Sequence, residues 1–123
     1  MKKTVSLLIV LLFTASFTFA HEKVKLTGYA MDVLCAKSFD KDKPEEAMKS
    51  AAAHTKECGL MDDCVKSGYG ILSDGKWYPF DAKGNELAKA IFDKTTKKDN
   101  IKVTVEGLKH DGTIMVQSIM EVE

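Results

Sequence analysis

Apolar and polar side chains alternate along Val24–Met31, the period of a strand that buries one face. Tyr69–Ser73 and Lys76–Phe80 flank Asp74-Gly75, a dipeptide suited to a type I′ hairpin turn, whose two central residues need positive φ. Pro79 has no N–H to give a neighbouring strand, so it marks an edge or an end. Leu87, Ala88, Ile91 and Phe92 then recur at helical spacing. They predict a helix over Glu86–Lys94 with Asn85 as its N-cap. Alternation returns at Ile101–Leu108, and a second Asp-Gly, Asp111-Gly112, turns the chain into Thr113–Val122.

The predicted order is strand, long insertion, hairpin, helix, hairpin. This is a mainly β, α+β pattern: five strands with one helix between the third and fourth. Two architectures fit it. One is the five-stranded barrel of oligonucleotide/oligosaccharide-binding (OB) type, and the other is an antiparallel sheet packed by one helix. Neither assigns a function by itself.

The insertion, about Asp32–Gly68, holds all three cysteines. Asp42-Lys43-Pro44-Glu45 reads as a helix start with proline in the first turn, and Ala51–Ala53 favour continuing it to about Glu57. On such a helix Ala47, Ala51, His54 and Cys58 share one face, directed at the protein body. The cysteines and one histidine are spaced Cys35–x18–His54–x3–Cys58–x5–Cys64. Cys3His is a known tetrahedral zinc set, and three thiolates with Met31 and Met61 nearby would also suit Cu(I). The spacing matches no tight paired-ligand pattern. Asp32, Asp62 and Asp63 flank the cysteines as groups that either support them or are solvated.

Residues 1–20 give those cysteines a compartment. Lys2-Lys3, an apolar run from Val5 through Phe13, and small residues at Thr18 and Ala20 form a secretory signal. Cleavage after Ala20 is expected to leave a periplasmic or secreted domain, His21–Glu123, with no stable membrane anchor. In an oxidising compartment cysteines normally pair. Two disulfide-bonded cysteines and a lone thiol therefore compete with the metal site, and three single pairings are open. Thiol redox catalysis is disfavoured, because Cys58 falls near a predicted helix end where the dipole opposes a thiolate. Covalent haem lacks its Cys-x-x-Cys-His.

Cleavage would also give His21 a free amine, able to chelate copper together with its ring. His110, beside the second turn, is a weaker candidate. Without the leader the chain has sixteen lysines against eighteen acidic residues, a formal charge of −2, and it contains no arginine. That balance argues against a nucleic-acid partner. Tyr69, Trp77 and Tyr78 lie on strands that form the binding face of OB barrels, although alternation must turn some of them into the core. No serine–histidine pair, paired catalytic carboxylates or phosphate loop points to an enzyme.

The strings Thr27-Gly28…Asp32-x-x-Cys35, His54-Thr55-x-x-Cys58…Cys64-Val65-Lys66-Ser67-Gly68-Tyr69-Gly70 and Asp74-Gly75-Lys76 resemble a group of small exported bacterial proteins of uncharacterised function. The resemblance spans about Lys25–Val122. It implies an OB-like domain, export, and a Cys…His…Cys…Cys set as a shared feature, with the last two cysteines often closer than here. Two functions follow as expectations. One is a binding module holding zinc or copper through Cys35, His54, Cys58 and Cys64. The other is a disulfide-stapled domain that binds a saccharide, peptide or envelope protein through its sheet face.

Overall fold

The computed structural model describes residues 21–123; the predicted leader lies outside the described residues. Five strands form one antiparallel sheet: β1 (Glu22–Asp32), β2 (Tyr69–Ser73), β3 (Lys76–Pro79), β4 (Lys102–His110) and β5 (Thr113–Glu121), in the order β3-β2-β1-β4-β5. Both Asp-Gly turns take the predicted form, with positive φ at Asp74, Gly75, Asp111 and Gly112. The sheet is not closed into a barrel. Its edges meet at one parallel bridge, Phe80–Ile114, where Asp81 N–H also donates to Ile114 O at 3.0 Å. β3 is too short, and its proline too poor a donor, to extend that bridge into a ladder. No helix among the described residues is long and apolar enough to cross a membrane.

Among the described residues, five helices accompany the sheet: α1 (Val33–Ala36), α2 (Pro44–Ala53), α3 (Lys56–Gly59), α4 (Asp62–Ser67) and α5 (Ala82–Lys94). The first four lie in the insertion. α5 covers one sheet face, burying Ala88 and Phe92 against Ile71, Val103, Val105 and Ile114. α2 covers part of the other, with Ala47 and Ala51 on Met31 and Leu72. α5 begins four residues earlier than its pattern predicts. Asp81 is the N-cap, accepting from Gly84 N–H at 2.9 Å, while Asn85 instead accepts from Tyr69 N–H at 2.8 Å. Gly84 opens the first turn because a Cβ there would meet Val116 at 2.5 Å.

Tyr69 belongs to the core rather than to a binding face. It is buried, its ring stacks on Phe92 at 5.3 Å, and its hydroxyl donates to Gly59 O at 2.6 Å. Burial and the nearby Asp32, Asp93 and Cys64 charges push its pKa from 10.0 to about 12. The unfolded phenol therefore ionises first. The stability this group contributes is fully present below pH 10, and it is lost as pH rises towards 12. Tyr69→Phe is expected to cost about 1–3 kcal/mol at neutral pH by orphaning Gly59 O. It should also remove that alkaline loss, which urea melts at stepped pH would measure.

Candidate metal centre

The insertion leaves the sheet at Asp32 and returns at Tyr69, and these two residues are register partners. Its two ends are therefore neighbours. Val33 N–H donates to Gly68 O at 2.9 Å, and Leu34 N–H donates to Ser67 Oγ at 3.1 Å. Cys35, just past the exit on α1, and Cys64, just before the return on α4, are thereby brought together against Asp32. The carboxylate of Asp32 and the sulfurs of Cys35 and Cys64 all lie within 4.8 Å of one another.

Asp32 is the hub. Its side chain is fully buried, and one oxygen caps α1 by accepting from Cys35 N–H at 3.1 Å. The other oxygen lies 2.8 Å from His54 Nε2. Burial pushes its pKa up, but hydrogen bonds from the Cys35 backbone, the Cys35 and Cys64 thiols and His54 outweigh this and hold it below 3.8. The group is an anion at neutral pH. It can only accept, so the proton shared with His54 sits on Nε2.

The other ring nitrogen of His54, Nδ1, faces the interior. Nδ1 is buried without a hydrogen-bond partner, an arrangement costing about 1–3 kcal/mol. Both thiols of the cluster are held protonated. Burial first, then the Asp32 hydrogen bond and charge, push Cys35 up to about 12 and raise Cys64 likewise. A bound cation reverses this balance, since its charge favours thiolates beside a carboxylate. The donors also suit an ion in size. Ligands of one tetrahedral zinc stand roughly 3.3–3.8 Å apart, so the cluster needs little contraction. Cys35 is partly exposed and provides an approach from solvent, whereas Cys64 is buried.

The predicted residues are placed unequally. Cys35 and Cys64 are in the cluster, and His54 supports it through Asp32. Cys58 is on α3, outside the group of three, though close enough for its charge to act on both other thiols. The continuous helix expected to Glu57 is broken. α2 stops at Ala53, His54 is extended at its C-cap, and Thr55 caps α3 by accepting from Cys58 N–H at 3.0 Å. A capping threonine needs extended backbone, which unstacks His54 from Cys58.

All three cysteines are free in the structure. Met31 is packed under α2 on the other face, and Met61 is exposed, as are Asp62 and Asp63. Asp32 was legible only as a neighbour of the cysteines. Its signal was parity: two residues on from the inward Ala30, it had to point into the protein.

Trp77 and Tyr78 lie on opposite faces of β3, as alternation requires, yet both edge a cavity of about 690 Å³ with Phe39 and Leu72. That cavity includes none of the cysteines. His21 and His110 lie at the other end of β1, with ring centroids 4.9 Å apart.

Fold and site together define a small α+β protein with a buried carboxylate–dithiol centre backed by a histidine. Against known proteins, the chain matches no family model, no curated sequence and no solved structure.

Proposed function

We propose that this chain is an exported metal-binding module that holds one Zn(II) through Cys35, Cys64 and Asp32, with His54 fixing the carboxylate. The observation that carries the reading is the convergence of two thiols on a buried, ionised Asp32. Beside it lies a histidine nitrogen with no other partner. A carboxylate among the ligands favours zinc over Cu(I), and neither methionine that would have suited copper is positioned to help. A hydrogen-bonded partner behind a ligating carboxylate is a common feature of such centres. The leader sequence supports export, and the resemblance to small exported proteins agrees with it. The sheet order, with one parallel bridge from Phe80, just past β3, to Ile114 of β5, supports an OB-like barrel left open along that seam.

The competing reading is an oxidised staple. Cys35 and Cys64, whose sulfurs lie within 4.8 Å of each other, are placed to form it, leaving the cavity beside Trp77 and Tyr78 as the ligand site. Native and denaturing mass spectrometry of exported protein, with thiol alkylation, separates the two. The zinc reading expects a mass excess of one ion that denaturation removes, and three alkylatable thiols. A protein two hydrogens light, without the excess, would overturn it. Zinc must displace the protons of Cys35 and Cys64. Affinity in competition titrations should therefore fall by up to about 100-fold per pH unit on acidification.

A further inference from the structure

His21 and His110 are the two histidines that the thiol centre does not use. The pairing of β1 with β4 sets Glu22 opposite Lys109, and the next position along places His21 beside His110. A Glu22–Lys109 ion pair at 3.0 Å holds that end of the sheet together. The two rings lie 4.9 Å apart between centroids, and Asp111 Oδ2 is 3.2 Å from His110 Nε2. His21 is exposed and His110 partly so.

We propose that cleavage after Ala20 creates a second metal site, for a divalent ion of the Cu(II) and Ni(II) class, from the His21 α-amine, the His21 ring and the His110 ring. The proposal rests on the export reading but not on the thiol centre. The α-nitrogen and the ring Nδ1 of a terminal histidine belong to one residue and close a single chelate ring. His110 adds a third nitrogen from the neighbouring strand. With metal–nitrogen bonds of about 2.0 Å, two imidazoles sharing an ion span at most roughly 6 Å between centroids. The observed 4.9 Å falls inside that span.

Pairing of Glu22 with Lys109 holds the two positions next to each other, which lowers the entropy lost on binding. Asp111 stands where a carboxylate orients a ligating histidine. An all-nitrogen set prefers Cu(II) or Ni(II), which separates this site from the sulfur-bearing one. Before cleavage the same nitrogen is a peptide amide without a usable lone pair. The site would therefore exist only in the exported form, out of reach of metal inside the cell.

The full chain, expressed with its leader, would be purified from the exported fraction and its N-terminus fixed by mass. Ni(II) serves as the probe, because thiols do not reduce it. The chain's three histidines can be followed separately by the NMR signals of their ring hydrogens. Substoichiometric Ni(II) is expected to shift or broaden His21 and His110 together, while His54 stays unchanged. Affinity should fall at least about tenfold in His110→Ala, and again in His21→Ala, which removes the chelating ring. Both changes are at the surface end of the sheet, and a thermal melt verifies the fold. An N-terminus other than His21, a response from His54 alone, or unaltered affinity in both variants would overturn the proposal.

Discussion

Asp32→Ala is expected to destabilise the fold and abolish zinc binding together. The variant removes the cap of α1 and leaves His54 Nε2, as well as Nδ1, without a partner in the interior. Leaving a buried donor without its acceptor costs about 1–3 kcal/mol, and here two are left, Cys35 N–H and His54 Nε2. For a domain of this size, each kcal/mol lowers the melting temperature by about 4–8 °C, so a drop of well over 10 °C should be read in the metal-free protein. Asp32→Asn separates structure from ligation. Its amide oxygen can still accept from Cys35 N–H, and its NH2 can donate to His54 Nε2 once the ring proton moves to Nδ1, so the melt should move less. Zinc affinity should nevertheless fall at least about tenfold, because the anionic ligand is gone. Equal zinc affinity in the Asn variant and the wild type would remove Asp32 from the ligand set.

Phe92→Ala is the second large expected effect. Phe92 is fully buried on α5 and joins three parts of the molecule. Its ring stacks on Tyr69 of β2, meets the His54 ring edge-on at 6.1 Å, and lies so close to Gly59 of α3 that a Cβ there would come within 2.5 Å. Truncating a buried phenylalanine costs about 3–5 kcal/mol, through lost transfer energy and the cavity left behind. Here the cavity opens directly beneath the insertion. Backbone hydrogen bonds, Lys56 N–H to Lys98 O and Asn100 N–H to Ala52 O, both 2.8 Å, also tie the insertion to the body. Hydrogen exchange should therefore rise more in α2 and α3 than in β4, and zinc affinity should fall although no ligand was touched. Uniform exchange across both would show that Phe92 serves the sheet alone.

The strands were legible because each hairpin carries its own instructions. Asp-Gly turns and alternating side chains act over a few residues, and β2 runs over the residues its pattern predicted. α5 was legible in type but not in start. Gly84-Asn85 looks like a boundary locally, yet both are held inside the helix by packing against Val116 and by the bond to Tyr69. The break between α2 and α3 was hidden for a similar reason. Ala51–Ala53 carry strong helical propensity, which gives way once Asp32 holds the His54 side chain and Thr55 caps the next turn.

The candidate site divides along the same line. Local pattern determined the hairpins, the helical character of the insertion, the presence of a cysteine–histidine set, and the split of Trp77 and Tyr78 between two faces. All of these follow from side-chain period and turn chemistry within one segment. Which of the cysteines meet, and around what, depended on the pairing of Asp32 with Tyr69 across the insertion. That contact brings Cys35 and Cys64 to one carboxylate, moves Cys58 outside the group, and turns His54 from a helix-face residue into the partner of Asp32. Sequence spacing does not measure distance between strand ends. Only the assembled sheet, whose hydrogen bonds fix those ends side by side, decides which reactive groups share a site.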